Sequence, residues 1–423
     1  FLTPDSPLFD DVLQRCYRGF VVEDESKYSS DFHERFTGSL RALESNTPFL
    51  KYDITQPGGL GTKIARTYVS RCVVGVPGIT YKYLGLRIFA YPWTEGEVGA
   101  TPETVAIGRL NDEMIRRSSQ LLEGQRSVDR PYTGSCQYNL TLINRCFPDG
   151  TIDLKKEPMF EKNNCTVSWH ADSSLEHFST IGVYHVALDG DAPADGSGEQ
   201  WRVSLRVRHD SEGPNKHPEI YMTPPVAVPL PRKCCYYMLD DLNHHHQHSV
   251  LVGGTHRFAS THRVCRQEGH TYASIQSRCK SVLQVETLKA CVELSGTGCD
   301  VKQIRAEQSL LNEVEFEWIR QYYVQGRTHL EANVWWREPM QQLLQYWSRL
   351  EEQTLSTIQV LQEAAFSILS TADNTAELVE EECYDVLLEY IKSRNEKRIG
   401  WVKRCKEKMY SKAPVGERPV PPP

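Results

Sequence analysis

In the stretch "TVSWHADSS", His170 and Asp172 stand two residues apart, directly after Trp169. The residues leading into them read as a half-buried strand, and side chains at i and i+2 of a strand point to one face. An imidazole and a carboxylate converging there can hold a metal ion or relay a proton. A pair of surface polar residues at a strand end would look the same, so the pair needs a partner elsewhere. One comes far downstream in "DDLNHHHQHSVLVGGTHRFASTHR", where a hydrophobic strand begins directly after His248. His244, His245 and His246 precede that strand and read as a polar loop. Two histidines and one carboxylate hold Fe(II) on one face and leave three coordination positions open. Zinc accepts the same three ligands. Arg257, on the next strand, tips the reading to iron. A guanidinium grips a carboxylate through two hydrogen bonds, and 2-oxoglutarate is a co-substrate that chelates iron while offering a second carboxylate.

The elements that must position these residues change character along the chain. The first 50 or so residues read as helical: in "SSDFHERFTGSLRALES", Ser30 or Asp31 caps a helix with Phe32, Phe36, Leu40 and Leu43 on one stripe. The loop "QPGGLGT" lacks a following GK[ST] and is a connection, not a phosphate cradle. From Ser70 to Arg266 strand signals dominate. "TYVSRCVVGV", "YKYLGLRIFAYPW" and "YNLTLINRCF" are rich in β-branched and aromatic residues, and "WRVSLRVRH" alternates cleanly. Many short strands separated by Gly, Pro and Asp clusters predict a sandwich or barrel. "LDGDAPADGSGEQ" reads as a hairpin loop. After residue 302 apolar residues recur three and four apart, as in "NEVEFEWIRQYYVQG", and the tail "VGERPVPPP" has the composition of disorder. The fold class is α+β. Residues 1–266 form one domain with a helical lead-in over 1–50, and 267–423 form an all-helical second.

Composition narrows the classes. A chain of 423 residues with 39% hydrophobic residues can build one large core and a second domain. No run approaches the 18 or more apolar residues of a membrane span. A net charge of −7 disfavours coating nucleic acid by bulk electrostatics, though not capture of one nucleotide in a pocket. Thirteen cysteines without a CxxC pair point to free thiols in a reducing compartment. Twelve of the fourteen histidines fall between His170 and His270, which places any metal or acid–base chemistry there. The chain starts at Phe1 rather than Met, so an upstream segment with any targeting signal is expected.

Seven stretches carry a family resemblance: "TVSWHAD", "YNLTLIN", "YMLDDLN", "HQHSVL", "RFASTHRV", "PGITYKYLGLR" and "NEVEFEWIRQYY". Together they resemble the fat mass and obesity-associated (FTO) family, AlkB-like Fe(II)/2-oxoglutarate nucleic-acid demethylases. The likeness runs from about Ser70 to Arg266 and from Asn312 to about Glu351. It implies a double-stranded β-helix (jelly-roll) catalytic domain followed by a helical C-terminal domain. It assigns Fe(II) to His170, Asp172 and His248, as the spacing does. It further implies that Asn144, Tyr236, Arg257, Thr261 and Arg263 line the 2-oxoglutarate pocket. Arg71, Tyr81, Tyr83 and Leu84, with the strand Val167, Ser168, Trp169 and His170, match the pocket for a methylated base. An extruded base needs an aromatic face and a few fixed donors, which these residue types offer.

Two positions depart from the family pattern. Ala259 stands where the family has serine, two residues after the 2-oxoglutarate arginine. One hydroxyl hydrogen bond is missing there, on the order of 1–2 kcal/mol. Ser173 stands where the family has a glutamate beside the base, so preference among methylated bases should broaden. The resemblance implies oxidative demethylation of N6-methyladenine, and of 3-methylated uracil or thymine, in single-stranded RNA or DNA. Formaldehyde, succinate and CO2 are the products. Nuclear action and a monomer or weak dimer through the helical domain go with it. A 2-oxoglutarate-dependent protein hydroxylase and a silent binding module are the rival readings. Tyr81, Tyr83 and Arg71 speak against the first, and the triad with Arg257 against the second.

Overall fold

The computed structural model describes residues 1–47, 49, 69–83, 86–125, 134–147, 167–188, 200–208, 223–283, 301–320, 322–323, 334–370 and 378–405. The chain divides into two compact units, Phe1–Arg266 and Gln267–Pro423.

The first unit opens with α1 (Phe9–Cys16), β1 (Phe20–Asp24) and α2 (Ser30–Asn46). Next come β2 (Val69–Gly75), β3 (Thr80–Tyr83), β4 (Leu86–Phe89), β5 (Tyr91–Pro92) and α3 (Pro102–Gln125). Then follow β6 (Leu140–Cys146), β7 (Val167–His170), β8 (Ile181–Ala187), β9 (Arg202–Val207) and β10 (Val226–Pro229). The unit closes with β11 (Lys233–Met238), α4 (Leu242–His245), β12 (His246–Leu251) and β13 (Arg257–Arg263). The larger sheet runs β1-β11-β8-β13-β6-β2-β5, the smaller β10-β9-β12-β7, and β3-β4 make a separate hairpin. Two facing sheets of this kind are the jelly roll that the strand-rich pattern predicts.

Alternation along each strand builds the layers. Val73, Leu142, Val183, Tyr236 and Ala259 of the larger sheet share one core with Val203, Leu205 and Val250 of the smaller. Their sequence neighbours Val74, Ile143, Tyr184, Tyr237 and Phe258 pack the other way, with Phe36 and Leu40 of α2 and Ile107, Leu110 and Met114 of α3. Helices therefore cover the outer face of the larger sheet. Because both faces are covered, β2 and β13 are buried at every position. Each fully buried apolar side chain is worth about 1.5–3 kcal/mol.

Three expectations are corrected. The N-terminal region is not purely helical: Phe20–Asp24 pairs with β11 as an edge strand. The cap of α2 is Ser29, whose hydroxyl accepts the Phe32 N–H at 3.1 Å, one residue earlier than the pattern suggests. A 24-residue helix, α3, interrupts the strand-rich region. Its start signal is legible, since Pro102 takes the first helical position after Thr101 and apolar residues follow three and four apart. The stretches "QPGGLGT" and "VGERPVPPP" and nearly all of "LDGDAPADGSGEQ" lie outside the described residues.

The second unit is helical where described. It comprises α5 (Tyr272–Leu283), α6 (Val301–Asn312), α7 (Arg337–Ser370) and α8 (Leu378–Cys405), with a π-helical turn, Glu313–Ile319, directly after α6.

Candidate active site

His170 ends β7 and His248 lies directly opposite it on β12. Facing positions of an antiparallel pair bring side chains together, and the two imidazole centroids are 4.2 Å apart. The register then shifts: Val250 pairs with Val167, so β7 holds one residue more than β12 over this stretch. The bulge sends Val167 and His170 to the same cavity wall. Trp169 goes the other way, under the Arg206 guanidinium at 4.7 Å and stacked on Phe1.

Asp172 lies beyond the strand end, so strand alternation is not what aims it. Asn243 of α4 does that work. The Asp172 N–H donates to Asn243 Oδ1 at 2.9 Å, and Asn243 Nδ2 donates to the Asp172 carbonyl at 3.0 Å. Because α4 runs straight into β12, one amide ties the two halves of the triad together. His170 Nε2 is 3.4 Å from Asp172 Oδ1, and one ligand atom from each of His170, Asp172 and His248 lies within 4.8 Å of the others. Asp172 Oδ2 accepts from Arg263 Nε at 2.7 Å, which leaves Oδ1 facing the histidine.

The protonation states suit a divalent metal. Burial alone would raise the Asp172 carboxyl, but Arg263 and the two imidazoles hold it well below the usual carboxylate range. Burial, reinforced by His170, pushes His248 down to about 3. An ionised carboxylate and a neutral imidazole are the forms that ligate. The donor set of two nitrogens and one oxygen fits Fe(II) with open positions.

Asn144, Tyr236, Arg257, Thr261 and Arg263 all line one cavity together with His170 and His248. Cross-strand register brings them there: Asn144 faces Ala259, while Thr261 and Tyr236 flank Val183. Arg257 is 2% exposed, with its guanidinium carbon 4.8 Å from the Trp201 ring centre. Its Nε and Nη1 are buried donors without a hydrogen-bond partner. Buried guanidinium donors without a partner call for an anion such as a carboxylate, so the residues fit 2-oxoglutarate.

Of the residues matched to a base pocket, Arg71 is buried on β2 opposite Asn144, and Tyr81 is buried on β3. Arg263 connects the two regions, hydrogen-bonded to Asp172 and lying 4.8 Å above the Tyr81 ring. Tyr83 closes the β3–β4 pair opposite Leu86, and Ser168 belongs to the bulged part of β7. Ser173 is exposed, and Leu84 lies outside the described residues. Asn243 and His185 are the functional candidates that sequence reasoning missed. Asn243 stands inside the quoted motif "YMLDDLN", but its role depends on a backbone that no local pattern locates.

A jelly roll with two histidines and a carboxylate on one cavity wall, and a buried arginine with donors to spare, has the make-up of the Fe(II)- and 2-oxoglutarate-dependent oxygenases. The chain belongs to the FTO family: the FTO catalytic domain matches residues 7–266 and the FTO C-terminal domain residues 270–423. It is similar to the alpha-ketoglutarate-dependent dioxygenase FTO of Xenopus laevis, with 29% identity over 466 residues, covering 99% of this chain and 87% of that protein. Among solved structures, OsALKBH1 is 11% identical with a TM-score of 0.33, covering 58% of this chain and 97% of its own. A Pseudomonas putida prolyl-4-hydroxylase is 10% identical with a TM-score of 0.32, covering 62% of this chain and 100% of its own. At these TM-scores neither adds to the family assignment.

Proposed function

We propose that this chain, an FTO-family 2-oxoglutarate-dependent dioxygenase, removes methyl groups from N-methylated bases in single-stranded RNA or DNA. N6-methyladenine leads the substrates, with 3-methylated uracil and thymine beside it. The observation that carries this reading is the shared cavity, where the His170–Asp172–His248 cluster meets all five residues matched to 2-oxoglutarate binding. Fe(II), when bound with 2-oxoglutarate and dioxygen, would supply the oxidising power for hydroxylating an N-methyl carbon, and the hydroxymethyl group would then be lost as formaldehyde.

This chain's residues do the positioning. His170, His248 and Asp172 Oδ1 would hold the metal. Arg263 keeps Asp172 ionised and oriented through its 2.7 Å bond. Arg257 grips the distal carboxylate of 2-oxoglutarate, with Tyr236 and Thr261 beside it on the cavity wall. Tyr81 supplies a ring face for the base, which any base accepts, and the Arg263 guanidinium packed on that ring carries base contacts to the metal ligand. The division into a catalytic domain over 1–266 and a helical domain over 267–423, and action in the nucleus, belong to the same proposal. No helix among the described residues is long and apolar enough to cross a membrane.

The test is formaldehyde and succinate release from matched single-stranded oligonucleotides, each carrying one methylated base, run beside a pool of peptides. Release in equal amounts from the methylated oligonucleotides supports the proposal. Succinate coupled to the peptides alone would replace it with protein hydroxylation.

A further inference from the structure

His185 sits in the middle of β8 and is fully buried. It faces Ala259 on β13 and Cys234 on β11. Alternation puts it on the same side of the sheet as Val183, the side on which Arg257, Ala259 and Asn144 line the cavity. Neither of its ring nitrogens has a hydrogen-bond partner. His262, one strand over on the opposite face, shows the ordinary case: its two nitrogens meet Ser260 and Asn111 at 3.1 and 2.8 Å.

An imidazole always carries at least one N–H, and a buried donor without an acceptor is costly. Burial and the neighbouring Arg257 hold His185 well below its ordinary pKa, so it is neutral, with one donor and one acceptor. Arg257 adds two more buried donors on the adjacent strand, and among the described residues no carboxylate pairs with it. Ala259, which faces His185 and stands two residues from Arg257 on β13, offers only a methyl group. His185 stands beside the lining residue Ala259, so the unpartnered imidazole and the unpartnered Arg257 donors share one face of the sheet, which suits an anion with several lone pairs.

We infer that His185 is a binding residue for 2-oxoglutarate, donating to the distal carboxylate beside Arg257 and supplying the hydrogen bond that Ala259 cannot. The inference rests on reading this cavity as the 2-oxoglutarate site. A carboxylate has about four lone-pair directions; the Arg257 fork uses two, and one of the rest is available to the imidazole. No proton or electron moves in this step.

The test compares 2-oxoglutarate with 2-oxobutyrate, which keeps the metal-chelating end and lacks the distal carboxylate. Affinities are measured calorimetrically on the full-length Mn(II)-loaded protein. His185→Leu should weaken 2-oxoglutarate by about tenfold or more, as expected for a hydrogen bond to a charged group, and leave 2-oxobutyrate unchanged. Adding Ala259→Ser to His185→Leu should restore most of the loss, whereas Ala259→Ser alone should change little. Equal weakening of both ligands, or none, overturns the inference. The cavity reading itself fails separately if Arg257→Gln leaves 2-oxoglutarate affinity untouched. Should His185→Leu not fold, nitrogen NMR of the wild-type ring decides: its N–H signal must move with 2-oxoglutarate and not with 2-oxobutyrate. A signal that ignores both overturns the assignment.

Discussion

Two buried carboxylates, one in each compact unit, meet guanidinium groups in different ways. Glu315, in the π-helical turn of the second unit, is fully buried with both oxygens committed. Oε1 accepts from Arg320 Nε at 3.0 Å, and Oε2 pairs with Arg394. Arg398 stands 3.9 Å from the same carboxylate and 2.8 Å from Glu351. The guanidiniums of Arg320 and Arg394 also lie over the Phe316 ring. That cluster commits both Glu315 oxygens to guanidiniums and ties the turn to α7 and α8. Asp172 has only Oδ2 on a guanidinium, and its other oxygen shares space with two imidazoles. Burial is common to both. The number of oxygens left over separates a carboxylate that holds the fold from one that can hold a metal.

The sharpest way to break this comparison is to remove each carboxylate. Asp172→Ala, like His170→Ala, should cut turnover by about a thousandfold or more, at least ~4 kcal/mol of activation energy. The melting temperature of His170→Ala should stay close to wild type, whereas Asp172→Ala also strands the buried Arg263 and should melt lower. Near-wild-type turnover in either variant would end the metal assignment. Glu315→Gln should do the reverse. Stranding buried arginines costs about 3–5 kcal/mol, visible as a lower denaturation midpoint, while turnover per folded molecule stays the same. A Glu315 variant that loses turnover without losing stability would erase the distinction.

A smaller effect should come from Asn243→Ala. Without the amide clamp on its backbone, Asp172 keeps its chemistry and loses its aim. Metal affinity should drop about 10–100-fold, the usual scale for groups that orient ligands, and a metal titration of the folded protein measures it. Unchanged affinity would show that Arg263 alone orients the carboxylate. The mildest effect concerns acid. Burial pushes both His248 and His262 down to about 3 in the folded protein, whereas an unfolded histidine takes up a proton near 6.5. Between those values the unfolded chain binds more protons, so stability rises with pH across the window and is lost as pH falls from about 6.5 towards 3. His262→Gln should flatten that loss in urea midpoints measured between pH 7.5 and 5. Identical slopes would mean that His262 does not stay neutral when buried.

What could be read from the sequence followed the locality of each signal. The ligand types and Arg257 stood in short, unusual stretches, and alternation in "WRVSLRVRH" announced β9 directly. The burial of β2 and β13 on both faces was hidden, because α2 and α3 cover them from elsewhere in the chain. The helix α3 was overlooked among strand signals despite Pro102 at its start. Val167 illustrates the limit best. Simple alternation would put it on the face opposite His170, yet the bulge that brings both to one cavity wall arises from register with β12, which no window around residue 167 contains. His185 was obscured for a related reason, as its meaning depends on Arg257 and Ala259, 72 and 74 residues further along the chain.

The edge strand β1 carries a consequence for the order of synthesis. Phe20 pairs with Met238, and Asp24 with Cys234. At about 5–20 residues per second, the ribosome needs roughly ten to forty seconds between making the first strand and making its partner. During that interval Phe20 and Val22 have no sheet to join and must wait beside a growing, unpaired chain. The site is then assembled late: β12 and β13, which bring His248 and Arg257, emerge just after β11. Two of the three metal ligands, His170 and Asp172, are made before β11, and the third, His248, follows it closely, so the triad is completed only after β1 has gained its partner strand.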